Sequence, residues 1–306
     1  MTLTPTPVVI IATKGRPSDV PIILQCLAQQ TLPPKAVIFV GTEPSDLGTI
    51  ADAPAYAAVN GVSLFASRPG LTIQRNVGLD HVAAEGMMNP YFVAFFDDDF
   101  RPAPDWLAAA ASVFAEEPSV MGVTGQVLAD GIKGAGLTEE AATEILAGQR
   151  PGNKCWAQGD TMRDVSSAYG CNMAFRDQVV EKLRFDEDLP LYGWQEDRDF
   201  TGQVWKMGRV VYHPAPKGVH LGSKSGRNSG RRMGYSQIAN PLYLQRKGTM
   251  TPSDCRRFVW RALAANIVKS LRQDRFVDYR GRLQGNFIAV KDLLRRELHP
   301  NRVASV

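Results

Sequence analysis

The chain has 306 residues, of which 44% are hydrophobic and 22% charged, and this composition excludes a disordered chain or a fibrous protein. Because no run of about 18 uninterrupted apolar residues occurs, a membrane-spanning helix is not expected. The net charge of +4 is unevenly distributed, since residues 222–306 contain 18 Lys+Arg against 5 Asp+Glu. The C-terminal end is therefore expected to meet an anionic partner such as phospholipid, nucleic acid or a phosphorylated substrate.

Short apolar segments alternate with helical segments over the first 130 residues. Strands are predicted at residues 8–12, 36–40, 62–65, 91–96 and 120–128. Helices are predicted at about residues 19–29, 71–84 and 104–117. This alternation indicates an α/β fold with a mostly parallel sheet covered by helices, in which ligand sites lie beyond the carboxyl ends of the strands.

The second half of the chain is less regular. Residues 129–160 are predicted to be an irregular excursion with one short helix. His213 and His220 are predicted to lie on a loop, because two prolines and a glycine separate them. A Gly/Ser-rich basic loop then leads to helices, which divides the chain into a sheet-containing domain over residues 1–221 and a basic helical region over residues 222–306. Four widely spaced cysteines suit a reducing compartment, and we expect a cytoplasmic protein.

Three consecutive aspartates, Asp97, Asp98 and Asp99, follow the predicted strand at residues 91–96. Their mutual repulsion and lost hydration would be relieved by a hard divalent cation such as Mg²⁺ or Mn²⁺. In an extended segment, Asp97 and Asp99 point to one side and Asp98 to the other. The pattern therefore favours a site in which Asp97 and Asp99 face one ligand over a solvated turn.

Other polar groups are weaker signals by themselves. Residues 194–197 (WQED) open a predicted helix, where acidic residues are ordinary partners of the helix dipole. One of the two histidines could reach a metal ion, and Arg75 could contact a pyrophosphate. Surface exposure is the alternative for each of these side chains.

Six segments follow one another along the chain: residues 8–17 (VVIIATKGRP), 68–79 (RPGLTIQRNVGL), 95–99 (FFDDD), 170–176 (GCNMAFR), 185–197 (FDEDLPLYGWQED) and His220. In this order they resemble the opening loop, arginine–asparagine helix, DxD motif, glycine loop, xED motif and C-terminal histidine of family-2 glycosyltransferases. The resemblance covers about residues 7–221. It implies a GT-A (Rossmann-like), mostly parallel sheet flanked by helices, with a C-terminal helical extension.

The resemblance also implies an activity. The chain would be an inverting glycosyltransferase, moving a sugar from a nucleotide-sugar donor to a hydroxyl of a glycan or lipid-linked glycan in bacterial surface or exopolysaccharide synthesis. Mn²⁺ or Mg²⁺ would be bound by Asp99 and His220. Asp197 would deprotonate the acceptor hydroxyl, with Glu196 orienting the acceptor.

The donor and acceptor contacts are likewise implied by the resemblance. The donor would be held by Thr13, Arg16, Arg75, Asn76, Asp97 and Asp98. The acceptor would meet Gly170, Asn172 and Trp194. The second strand ends in residues 40–43 (VGTE), where the family often carries aspartates that contact the nucleotide base, so the resemblance does not identify the base.

Two C-terminal helices are predicted to be amphipathic. Their apolar stripes consist of Val259, Leu263, Ile267 and Leu271, and of Leu283, Phe287, Val290 and Leu294. The opposite sides carry Arg257, Arg261, Lys269 and Arg272, and Arg282, Lys291, Arg295 and Arg296. We expect these helices to dock the protein peripherally on the inner, anionic face of the membrane. The alternative is that the stripes pack on the catalytic domain or on a second subunit.

Two other functions fit part of the pattern. A nucleotidyltransferase also combines a Rossmann-like sheet with acidic metal ligands, but it usually needs a longer glycine-rich loop than residues 13–16 provide. A nucleic-acid-binding protein would use the basic C-terminal region, but it would need neither the three aspartates nor the WQED segment. We therefore expect a nucleotide-sugar and a glycan as partners, and no nucleic acid.

Overall fold

The computed structural model describes residues 4–88, 90–223, 229–272 and 274–306. Its strands are β1 (Thr6–Ala12), β2 (Val37–Gly41), β3 (Gly61–Phe65), β4 (Tyr91–Asp97), β5 (Phe100–Pro102), β6 (Val120–Asp130), β7 (Arg163–Asp164), β8 (Asn172–Arg176) and β9 (Arg209–His220). Its helices are α1 (Val20–Ala28), α2 (Pro44–Leu47), α3 (Pro54–Ala58), α4 (Leu71–Ala84), α5 (Trp106–Glu116), α6 (Glu139–Leu146), α7 (Asp177–Val180), α8 (Glu196–Val204), α9 (Gly230–Lys247), α10 (Pro252–Ser270) and α11 (Tyr279–Leu294). Short 3₁₀ helices span Ile50–Asp52 and Pro300–Ser305.

One sheet contains these strands in the order β3-β2-β1-β4-β8-β6-β9-β5, and β7 pairs with β9 outside this order. Strands β3, β2, β1 and β4 are parallel, whereas β8 runs antiparallel to both β4 and β6. The predicted α/β fold is therefore confirmed. Ala12 pairs with Asp97, so the loop that follows β1 meets the aspartates that follow β4.

The sheet is covered on both faces, which explains why its central strands are apolar without interruption. Residues 91–96 of β4 are all buried. Phe92 and Phe96 pack in the core layer that contains α1 and α5, and Val93 and Phe95 pack in the layer that contains α4 and α8. Asp97 is thus the first polar side chain that β4 presents, at the carboxyl end of the sheet.

Strand β9 corrects one prediction, because His213 and His220 lie on this strand and not on a loop. The register of the neighbouring strand β6 shifts between Thr124 and Gln126, and the proline-containing residues 213–216 of β9 bulge opposite that shift. Proline has no backbone N–H to donate to a neighbouring strand, but residues in a bulge do not need to donate one. The strand therefore continues through both prolines.

The C-terminal helices pack against one another and against the sheet domain. Helix α9 lies against both α10 and α11, and its buried Tyr235 belongs to their common core. Asn240 donates to the carbonyl of Trp194 at 2.7 Å, and Lys247 pairs with Asp199 at 2.7 Å. The division of the chain after residue 221 stays a prediction. Among the described residues, no helix is long and apolar enough to cross a membrane.

Candidate active site

Two carboxylates and one imidazole meet at the carboxyl end of β4. Within the described part of the chain, ligand atoms of Asp97, Asp99 and His220 lie within 4.8 Å of one another. Antiparallel pairing of β5 with β9 produces this meeting, since it sets Phe100 opposite His220. Oxygen and imidazole ligands suit Mn²⁺ and Mg²⁺, so the donor set fits the divalent ion that the sequence predicts. Asp97, which was predicted to contact the donor, lies together with the two predicted ligands.

Asp98 does not belong to this cluster, although it lies in the turn after β4 together with Asp99. Its carboxylate accepts hydrogen bonds from Thr13 Oγ1 at 2.6 Å and from the Arg16 guanidinium at 2.7 Å. Burial raises the pKa of Asp98 to about 7, against the opposing charge of Arg16. Asp98 therefore holds the loop after β1 in place, and Thr13 and Arg16 reach the site through that loop.

His220 is oriented by a residue that the sequence analysis missed. Its Nδ1 lies 3.0 Å from Asp130, whose other carboxylate oxygen accepts a hydrogen bond from the Tyr169 hydroxyl at 2.7 Å. Its Nε2 faces Asp99 at 3.4 Å. Burial alone would lower the pKa of His220, but hydrogen bonds with Asp130 and Asp99 raise it to about 10. With Asp130 on Nδ1, the neutral form of the ring would present Nε2 to a metal ion held between His220 and the aspartates.

Arg75 joins the cluster of Asp97, Asp99 and His220 to the xED motif. Its buried guanidinium donates to Asp97 at 3.2 Å and to the Gly170 carbonyl at 2.8 Å, and it also pairs with Glu196. Burial would lower the pKa of Arg75, but Glu196 and Asp97 raise it above its usual value. These contacts use three of the five guanidinium N–H groups, and the expectation that Arg75 contacts the donor stays a prediction.

Helix α8 begins with the two acidic residues of the xED motif. Gln195, which precedes them, has a left-handed backbone with φ of +72°, a strained conformation that often marks functional sites. Asp197 accepts hydrogen bonds from the backbone N–H of Gly170 at 3.1 Å and of Arg198 at 2.7 Å. Burial and the neighbouring charge of Asp197 raise the pKa of Glu196 to about 8. Burial raises the pKa of Asp197 as well.

Gly170 is required by this arrangement. A Cβ atom at this position would lie 2.9 Å from Glu196 Oε1 and 3.5 Å from Asp197 Oδ2. Any larger residue would therefore displace the Glu196 carboxylate, whereas Asp197 lies at an ordinary contact distance. The predicted glycine loop and the xED motif are brought together, although 25 residues separate Gly170 from Gln195 along the chain.

A cleft of about 310 Å³ opens beyond the ends of β1 and β4, a size that suits a small ligand. Its walls include Thr13, Lys14, Arg16, Gln74, Asp97, Asp98, Asp99, Tyr192, His220, Ser223 and Arg232. Arg232 belongs to α9, so the basic helical region contributes a cation to the cleft. Tyr192, which is 46% exposed, presents an aromatic ring to the same space.

Three predicted contact residues make contacts within the protein. Asn172 is fully buried and accepts a hydrogen bond from the Trp106 indole at 2.7 Å, so it belongs to the core and not to an acceptor surface. Asn76 binds both backbone groups of Phe185 and thereby attaches residues 185–187 to α4. Trp194 packs edge-on against Phe258 of α10, with their ring centroids 6.3 Å apart.

Comparison with known proteins identifies the family of this chain. Residues 8–184, more than half of the chain, match the model of glycosyl transferase family 2. The chain belongs to this family. Within the described residues, the DxD aspartates and His220 lie on one side of Arg75, and the acidic residues of the xED motif lie on the other.

Solved structures share the GT-A fold of this family-2 glycosyltransferase. The mannosyltransferase PcManGT from Pyrobaculum calidifontis, in complex with GDP-Man and Mn²⁺, is 18% identical with a TM-score of 0.57, covering 97% of this chain and 89% of that one. Residues 1–349 of S. aureus TarS, in complex with UDP, are 15% identical with a TM-score of 0.55, covering 95% and 91%.

A longer TarS structure is 15% identical with a TM-score of 0.52, covering 88% of this chain. This chain spans only 44% of that protein. No curated protein matches the sequence significantly. At these identities, the structural neighbours establish the fold of the family-2 chain and not its substrate.

Proposed function

We propose that this family-2 chain is an inverting glycosyltransferase that uses Mn²⁺ or Mg²⁺ to move a sugar from a nucleotide-sugar to a hydroxyl of a glycan or lipid-linked glycan. The setting would be the synthesis of a bacterial surface polysaccharide or exopolysaccharide. One observation carries the proposal: Arg75 couples the cluster of Asp97, Asp99 and His220 directly to the acidic pair that opens α8. A metal-dependent leaving group and an acceptor base would thereby be juxtaposed.

The donor would occupy the cleft at the metal-binding cluster. Asp97, Asp99 and His220 would hold the ion, which when bound neutralises negative charge on the departing diphosphate. Arg16 and Arg232 line the same cleft and would attract the phosphates. The structures of PcManGT with GDP-Man and Mn²⁺ and of TarS with UDP support this class of donor.

Asp197 is the better candidate for the base of the two acidic residues. Glu196 is buried and paired with Arg75, which fixes the position of its carboxylate. Asp197 is only partly buried, and the hydrogen bonds that it accepts come from backbone N–H groups, which leave lone pairs for a proton. Asp197 would take the acceptor proton while Glu196 orients the acceptor.

The transfer is then a single displacement. The deprotonated hydroxyl oxygen forms a bond to the anomeric carbon as the bond to the diphosphate oxygen breaks, and the electron pair leaves with the nucleoside diphosphate. Because the oxygen attacks opposite the leaving group, the configuration at the anomeric carbon inverts. No general acid is needed, since the leaving diphosphate is already a stable anion.

The test begins with a thermal-shift screen of UDP- and GDP-sugars with Mn²⁺ or with a chelator. A donor present at about 100 times its dissociation constant should stabilise the protein by about 2.7 kcal/mol. The product made from that donor is then examined by NMR for the configuration of the new linkage. Inverted configuration and loss of turnover in chelator are expected, whereas retained configuration or full activity in chelator would overturn the proposal.

A further inference from the structure

Helices α10 and α11 form a hairpin that exposes large apolar side chains. Asn266 of α10 donates to Asn286 of α11 at 2.8 Å, and the Lys269 ammonium lies over the Tyr279 ring. The exposed side chains are Trp260 (68%), Ile267 (52%), Val268 (65%), Leu271 (80%), Phe287 (66%) and Leu294 (81%). Scattered single apolar residues are ordinary on a surface, but six on one hairpin mark an interaction face.

The apolar stripe predicted for α10 divides into two parts. Val259 and Leu263 pack into the helical core, whereas Ile267 and Leu271 point to solvent. Residues spaced by four drift by about 40° per step around a helix of 3.6 residues per turn, so the stripe rotates out of the core along α10. Its C-terminal half therefore joins Trp260 on the exposed side.

Basic side chains border the exposed apolar arc of α10. At about 100° per residue, Arg256 precedes Ile267, Trp260 and Leu271 around the helix, and Arg261 and Arg272 follow them. These three arginines are exposed. The outer side of α10 thus presents exposed apolar side chains with Arg257 among them and arginines along both edges.

Helix α11 repeats this arrangement. Phe287 and Leu294 lie seven residues apart, on nearly the same side of the helix. Arg280, Lys291 and Arg295 are exposed on the same arc. Buried Gly281, Gly285 and Ala289 occupy the opposite side and allow close packing on α9.

The N-terminal half of the hairpin adjoins the acceptor side of the active site. Phe258 of α10 lies under the guanidinium of Arg198, 4.8 Å from ring centroid to Cζ, and Arg198 directly follows Asp197. Asp254 pairs with the same arginine at 3.6 Å. A surface bound by the hairpin would therefore lie near the residues proposed to receive the acceptor.

We propose that the exposed face of the hairpin docks on an anionic membrane surface. Apolar side chains would enter the boundary between headgroups and acyl chains, with Trp260 at headgroup level, while the bordering arginines and lysines meet lipid phosphates. A symmetric contact between two copies of this face fits less well, because it brings like-charged edges together. The proposal that this face docks on a membrane depends only on the geometry of the hairpin. Delivery of a lipid-linked acceptor by the same surface rests in addition on the proposed function.

The test is flotation of the full chain with vesicles of phosphatidylcholine alone or containing about 30 mol% phosphatidylglycerol. One variant combines Trp260→Ser, Leu271→Ser and Phe287→Ser, and another combines Arg261→Gln and Arg272→Gln. Matched controls are Phe65→Ser, on an exposed apolar residue of β3, and Lys182→Gln with Lys206→Gln, on exposed lysines of the sheet domain. Near-ultraviolet circular dichroism and nucleotide-dependent thermal shifts confirm that each variant is folded.

The wild-type chain and both controls should float with anionic vesicles at low salt and should detach as salt is added. The apolar variant should lose binding, and the arginine variant should need about 25-fold more lipid, since each lost charge contributes roughly a factor of five. Equal binding to neutral vesicles, or no binding to anionic vesicles at low salt, would overturn the proposal. So would concentration-dependent dimerisation that the apolar variant abolishes while vesicle binding is absent.

Discussion

The active-site cleft and the α10–α11 hairpin are both rich in charge, but they distribute it in opposite ways. In the site, Asp98 lies against Arg16 and Glu196 lies against Arg75, with both carboxylates buried. On the hairpin, the basic side chains are exposed among exposed apolar residues. A buried charge requires a fixed partner because its desolvation is costly, whereas an exposed charge stays hydrated until something binds it. The first arrangement suits chemistry, and the second suits attachment to a surface.

The largest effect is expected from Asp197→Asn, which removes the base but keeps the shape of the side chain. The rate of transfer should fall on the order of 10²–10⁴-fold, while donor affinity stays nearly unchanged. Steady-state kinetics and calorimetric titration of the donor measure the two effects separately. Asp254→Asn is a suitable control, because Asp254 contacts Arg198 without belonging to the acidic pair. If Glu196→Gln abolishes turnover while Asp197→Asn remains active, the base is the other residue.

Arg75→Ala should cost about 3–5 kcal/mol of unfolding free energy, because it leaves Glu196 and Asp97 without their buried countercharge. Arg68→Ala breaks an ion pair with Glu187 in which the arginine side chain is 58% exposed, and it should cost at most about 1 kcal/mol. Urea unfolding followed by circular dichroism compares the two variants. Equal losses of unfolding free energy in the two variants would contradict the distinction between buried, paired charges and exposed charges.

A smaller effect is expected from substitution of Asp130, whose carboxylate contacts Nδ1 of His220 and so orients the ring. Asp130→Asn should weaken Mn²⁺ binding by about 10–100-fold, as removal of a carboxylate behind a metal-binding histidine typically does. Tyr169→Phe should have a weaker effect in the same direction. Titration of Mn²⁺ by electron paramagnetic resonance gives the affinity without requiring turnover. Asp80→Asn, on an exposed carboxylate, is the control, and unchanged affinity in Asp130→Asn would remove Asp130 from this role.

The place of the three aspartates after a buried strand was sufficient to predict that Asp97 and Asp99 share one cluster. Strand alternation is not the reason, because β4 ends at Asp97, and Asp98 and Asp99 form a turn in which Asp98 binds Thr13. The alternating strands and helices likewise predicted the sheet and the edge at which the cleft opens. These features depend on local periodicity and on the general geometry of parallel sheets.

Asp130 could not be predicted in the same way. Its partnership with His220 follows from the pairing of β6 with β9, which joins residues 90 positions apart. The predicted strand ended at Leu128, two residues short of Asp130, so no signal directed attention to this carboxylate. For Arg75, the motif was recognised in the sequence, but its ion pair with Glu196 depends on tertiary packing and could not be predicted.

The most direct test of the account is calorimetric titration of nucleoside diphosphates in the presence of Mn²⁺ or of a chelator. The account predicts tight binding of one nucleoside diphosphate to the wild-type chain with Mn²⁺ and weak binding in chelator. Asp99→Ala, checked for folding by thermal unfolding, should bind weakly under both conditions, because Asp99 and His220 face the same ion position. Equal affinity in chelator and in Mn²⁺ for the wild-type chain would contradict a metal-dependent donor site.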